Sequence, residues 1–162
     1  MKGPIVESDL ENDNFFDLLN IHSIEKEISR IKNSGNITIN QLKSMFDMGV
    51  EFYNKFQFKE AEVIFSSYSA LNPYDHRGPG CLAAICLEQG KFSRALEYLN
   101  IVKTYPSNDF DETAVNIALC HYKLKEYIQA SAILLVVKKD VLNEFYKNRY
   151  EYLQQQLKPY LS

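Results

Sequence analysis

Six side chains in this 162-residue chain have the chemistry to bind a soft metal or to pair a nucleophile with a base: His22, His76, His121, Cys81, Cys86 and Cys120. Their spacing argues against both. No C-x-x-C pair occurs, and three cysteines in a chain without an evident export signal read as reduced, buried thiols. Cys120 and His121 are neighbours, so on a helix they point about 100° apart and do not converge on one ion. His121 falls where two helices are expected to pack, which makes it a core histidine with a partner rather than a ligand. No G-x-x-x-x-G-K, G-x-G-x-x-G, H-E-x-x-H or G-x-S-x-G string is present. RGPG at 77–80 has glycines but lacks the lysine and serine of a phosphate loop, and it reads as a helix start with Pro79 in the first turn. The carboxylates scatter over faces expected to be exposed. The sequence thus predicts no catalytic site, no metal and no cofactor.

What remains is binding, and composition narrows the partner. Apolar residues make up 46% and charged residues 24%, ordinary for a globular domain, and the net charge is −3. With a pI near 5.6 the chain offers no basic field for nucleic acid or an anionic membrane. The longest apolar runs, LAAICL (82–87) and ASAILLVV (130–137), are too short to span a bilayer, so no stable membrane insertion is expected. The N-terminus, acidic and without an apolar signal core, points to a cytoplasmic protein.

The elements that position these residues repeat. EAEVIF (60–65), RALEYL (94–99) and QASAIL (129–134) place Ala61, Ala95 and Ala130 about 34 residues apart, the tetratricopeptide period. Three residues before each alanine sit Phe58, Phe92 and Tyr127. Twelve before sit the small Gly49, Ala83 and Ala118, and four after come Phe65, Leu99 and Leu134. Two antiparallel helices approach closely only where one presents a small side chain, and bulky neighbours fill the flanking space. The expected fold is all-α: three tetratricopeptide helix pairs in a right-handed superhelix, with an N-terminal helical extension and a C-terminal capping helix. Repeats are expected at about 42–75, 76–110 and 111–142, with the capping helix at 143–160 ending near Pro159.

Local signals fill in the rest. Residues 1–37 read as an extension, disordered over 1–14, with FFDLL (15–19) starting a short helix. Ile24, Ile28 and Ile31 form an amphipathic stripe over 23–33 with Ser23 as N-cap. That stripe should pack on the first repeat or on a second subunit, giving a homodimer through the N-terminal helix. Thr38 and Gln41 form a capping box that opens the repeat domain, 38–162. Gly90 in EQGKF is the expected C′ residue of the second repeat's first helix.

The first helices of the repeats line the inner face of such a superhelix. Counting from Leu42, His76 and Asp111, the groove residues are Phe46, Val50 and Tyr53, then Ala84 and Leu87, then Val115, Leu119 and Tyr122. Lys43, Asp47, Asn54, Arg77, Glu88 and Lys123 rim it. The competing reading makes the apolar set ordinary core, covered by the first or last helix. A contiguous apolar groove would take an extended or helical peptide from another protein.

The repeats resemble tetratricopeptide adaptors for heat-shock chaperones at fold level. The positions of that family's carboxylate clamp are Phe46, Val50, Cys81, Glu112 and Asn116 here, so the clamp is absent. Over about residues 38–140 the chain more closely resembles the class II chaperones of bacterial type III secretion. The stretches FDMGVEFYNKFQFKEAEVIFSSYSALNPYD (46–75), CLAAICLEQGKFSRALEYL (81–99) and ALCHYKLKEYIQAS (118–131) carry that resemblance. It implies a bacterial cytoplasmic chaperone that keeps a hydrophobic secreted translocator soluble, binding it in the concave groove. The alternative is another tetratricopeptide interaction module, such as a needle-subunit co-chaperone or an assembly scaffold.

Overall fold

The computed structural model describes residues 21–162, apart from the side chain of His22. The expectations for residues 1–14 and for FFDLL lie outside the described residues. Within them the protein is all-α, with eight α-helices and two short 3-10 turns. The helices fall into two compact units, through Leu71 and from Asn72 onward.

The first unit holds α1 (Ile21–Ser34), α2 (Ile39–Asn54) and α3 (Phe58–Leu71). Thr38 caps α2 as expected: its hydroxyl accepts from the Gln41 amide at 3.1 Å, and Gln41 Oε1 accepts from the Thr38 amide at 2.9 Å. Ser23 lies inside α1 rather than at its cap, because the helix already includes Ile21. Ile24 and Ile28 are buried and α1 packs on α3, so the isoleucine stripe is used within the chain. Between α2 and α3 the small-residue rule holds. Ala61 is fully buried, and a Cβ on Gly49 would stand 2.7 Å from Cζ of Phe65.

The second unit holds α4 (Arg77–Glu88), α5 (Phe92–Val102), α6 (Phe110–Lys123), α7 (Tyr127–Leu134) and α8 (Glu144–Gln156), with 3-10 turns at Lys139–Val141 and Lys158–Tyr160. Pro79 sits in the first turn of α4 as expected, where a missing N–H costs nothing. Ala83 and Ala95 lie buried where α4 meets α5, and Ala118 and Ala130 do the same for α6 and α7. Asp109 caps α6 by accepting from the Glu112 amide at 3.0 Å. Two side-chain bonds tie the loop before α4 to the loop before α6. Tyr105 Oη donates to the Pro73 carbonyl at 2.7 Å, and His76 Nδ1 meets Ser107 Oγ at 2.9 Å.

One turn geometry recurs in all three pairs. Phe56, Gly90 and Lys125 adopt left-handed φ values of 59°, 70° and 65°. At each, the residue's N–H bonds the carbonyl three back and the next N–H bonds the carbonyl five back, as Gln57 does to Phe52, Lys91 to Cys86 and Glu126 to His121. This is the Schellman ending, and only the second repeat meets it with glycine. The other two hold a side chain in a conformation that disfavours L-residues by about 1–2 kcal/mol.

Candidate functional site

The inner-face residues divide by burial. In the first unit, Phe46, Val50 and Tyr53 are half-buried along α2. Phe46 packs edge-on against Phe65 and Tyr68, with centroids 5.5 and 5.3 Å apart, and Tyr53 meets Phe58 at 5.7 Å. Val50 and Asn54 line a shallow recess of about 370 Å³ with Asp47, Glu51 and Lys55. In the second unit Ala84, Leu87 and Tyr122 are half-buried.

Val115 and Leu119 behave otherwise. Val115 is 0% exposed and Leu119 8%, and both join a core with Leu153 and Leu157 of the C-terminal segment. These two are corrections to the expected groove lining. The last helix covers them, since four aliphatic side chains meeting there each gain about 1.5–3 kcal/mol from burial. On α6 the core reading of the inner face wins, and Tyr122 at its end is the residue left at the surface.

The rim is partly engaged. Lys43, Asn54, Glu88 and Lys123 are exposed. Arg77 is drawn onto Asp75, with Nη2 to Oδ2 at 2.8 Å, and Lys123 Nζ lies 5.9 Å from the Tyr122 ring centre. Two of the absent-clamp positions are also occupied: Asn116 Oδ1 accepts from Arg149 at 2.5 Å and Glu112 from Asn143 at 3.0 Å. Burial, with Asp109 adding repulsion, raises the Glu112 carboxyl above the usual carboxylate range.

Sequence reasoning missed an aromatic cluster around Tyr122. Its ring lies 5.8 Å from Tyr127 and 6.0 Å from Tyr152, and Tyr127 stacks on Tyr160 at 5.3 Å. Tyr122 Oη donates to Gln156 Oε1 at 3.2 Å. Tyr152 and Tyr160 come from the C-terminal segment, which lacks the small-residue mark that located the other helices. The eleven tyrosines of the composition were the available signal.

Of the residues with metal or nucleophile chemistry, His121 and the three cysteines have defined surroundings. His121 Nδ1 lies 2.6 Å from Glu126 Oε2, which supplies the partner expected of a core histidine. Cys86 and Cys120 are buried, and burial pushes the Cys120 thiol up to about 12 and the half-buried Cys81 thiol equally far, leaving both protonated at neutral pH. Among the described residues no group of three or more His, Cys, Asp or Glu is placed to hold a metal ion. No described helix is long and apolar enough to cross a membrane.

The helix pairs and their small-residue crossings define a tetratricopeptide-like fold. Comparison with solved structures agrees: the chain is similar to PcrH from Pseudomonas aeruginosa, with a TM-score of 0.59 and 18% sequence identity, over 76% of this chain and 96% of that one. No family model matches the sequence, and no curated protein matches it either.

Proposed function

We propose that this protein is a non-catalytic chaperone that holds an apolar segment of a secreted translocator. The observation that carries this reading is the fold shared with PcrH along nearly all of that chain, beside the resemblance of residues 38–140 to the class II chaperones of type III secretion. The half-buried apolar residues on the first helices of the pairs support it. Phe46, Val50 and Tyr53 on α2, and Ala84, Leu87 and Tyr122 on α4 and α6, leave apolar area at the surface beside polar groups. In each unit such a surface could receive a peptide's apolar side chains while neighbouring hydroxyls and amides meet its backbone. Lys43 and Asn54 would border it in the first unit, and Arg77, Glu88 and Lys123 in the second.

The chemistry suits the role. A translocator's long apolar segments aggregate or insert early unless covered, and cover by apolar contact is reversible without nucleotide hydrolysis. The setting is the bacterial cytoplasm. Co-expression with a translocator encoded beside this chain tests the proposal. The translocator should be insoluble alone and should purify as a soluble complex with this chain. A translocator that gains no solubility and does not co-purify refutes it.

A further inference from the structure

The turns that end the first helices of the three pairs share one backbone conformation and differ in what they carry. The left-handed position holds Phe56 after α2, Gly90 after α4 and Lys125 after α6. Glycine meets that conformation without steric cost, and Lys125, which is exposed, keeps its charge in water. Phe56 is disfavoured twice. Its backbone is held where a Cβ crowds the following carbonyl, and its ring is 75% exposed.

The ring is not isolated. It stands edge-on to Phe58, with centroids 6.0 Å apart and planes at 89°, and Phe58 stands edge-on to Tyr53 at 5.7 Å and 64°. Tyr53 and Phe58 are half-buried, so the row starts on the first-helix face of α2 and ends exposed at the tip of the turn. Asn54, Lys55 and Gln57 flank that tip, all exposed. Lys55 is committed to Glu51, with Nζ 2.7 Å from Oε1, which leaves the amides of Asn54 and Gln57 as the neutral groups beside the ring. A side chain that burdens the fold at a strained position is a candidate for function, and this one continues a surface already assigned to binding.

We propose that Phe56 is a binding residue for the translocator: it extends the first-helix surface of the first unit past Tyr53, over the α2–α3 turn, and receives a second large apolar side chain of the same segment. The inference rests on the reading of that surface as the translocator site. The span selects the form of the ligand. The two ring-to-ring steps, 5.7 and 6.0 Å, bound the distance from Tyr53 to Phe56. An extended chain sets side chains i and i+2 about 7 Å apart on one side, within that bound. A segment crossing here in extended form therefore carries large apolar residues at alternate positions, with the amides of Asn54 and Gln57 beside its backbone.

Three substitutions of Phe56 in the full chain test this, each read as the Kd for the translocator encoded beside this chain and as the urea midpoint. Glycine and asparagine both accept a left-handed backbone, so Phe56→Gly and Phe56→Asn should unfold at or above the wild-type urea concentration. Both should bind at least about fivefold more weakly, the loss of one anchor at the edge of a site. Phe56→Tyr keeps the ring and should bind like wild type. A merely structural ring would give the opposite pairing, a lower midpoint with affinity unchanged. The inference is overturned by wild-type affinity in Phe56→Gly and Phe56→Asn, by a loss that Phe56→Tyr shares, or by losses that follow a lowered midpoint. It fails apart from the function if Tyr53→Ala/Leu87→Ala weakens binding and Phe56→Gly does not. A translocator that does not bind the wild-type chain overturns both.

Discussion

Replacing Gly49 by Ala sets two known effects against each other. In the interior of an exposed helix, alanine is favoured over glycine by about 1 kcal/mol. Gly49 is instead buried in the middle of α2, and an added Cβ would stand 2.7, 2.8 and 3.0 Å from three ring atoms of Phe65. Phe65 is 1% exposed and its ring is held edge-on by Phe46, so it has little room to withdraw. Overpacking of this kind costs about 1–3 kcal/mol. The clash therefore outweighs the propensity gain, and Gly49→Ala should destabilise by about 1 kcal/mol net. For a chain of this size that is a melting temperature lower by about 2–4 °C. Gly49→Val, with two further carbons, should lose more. The diagnostic comparison repeats Gly49→Ala in a Phe65→Leu background, where the ring is gone and alanine should be neutral or stabilising. Urea unfolding followed by circular dichroism reads all five chains. A higher midpoint for Gly49→Ala with Phe65 intact would refute the tight crossing of α2 and α3.

The shared helix endings predict opposite effects at matched positions: Gly90→Ala should cost about 1 kcal/mol, while Lys125→Gly should gain a similar amount by relieving its left-handed φ. Equal midpoints for both variants would count against that strain. Glu112 predicts a pH dependence. Its folded-state carboxyl is raised by burial and by Asp109, so the folded chain binds that proton more tightly than the unfolded chain. The stability this contributes is complete below the ordinary carboxylate value and is lost as pH rises through the raised folded value. Glu112→Gln keeps an acceptor for Asn143 without the charge, so it should melt higher than wild type at pH 7 and equally at pH 3. A difference that grows on acidification would contradict that sign.

Much of the fold could be read from spacing because packing imposes it. Ala61, Ala95 and Ala130 must be small where helices cross, and all three are fully buried. The Thr38–Gln41 box and Gly90 are local signals whose partners lie within a few residues, and both stand as expected. The site was less legible, for a physical reason. Position within a repeat says which way a side chain points, and it does not say what the rest of the chain lays over it. Val115 and Leu119 fit the inner-face pattern as well as Tyr53 does, yet Leu153 and Leu157, more than thirty residues on, close over them. The same blindness hid Phe56 and Lys125, which take a glycine's conformation because the turn demands it. Leu135 and Val136 stand exposed just past the end of α7, within the apolar run ASAILLVV, which periodicity could not distinguish from a wholly buried helix.

The central claim is that the apolar residues on the first helices of the pairs bind the translocator. Its most direct test is the Kd of the translocator complex for wild type and for a chain carrying Tyr53→Ala and Leu87→Ala, beside a control carrying Glu60→Ala and Lys91→Ala. Central anchors contribute about 2 kcal/mol or more on truncation, so the first variant should bind at least about thirty-fold more weakly. Its circular dichroism spectrum should stay helical, and the control should bind like wild type. Equal losses in both variants, or wild-type affinity in the Tyr53→Ala/Leu87→Ala chain, would contradict the account.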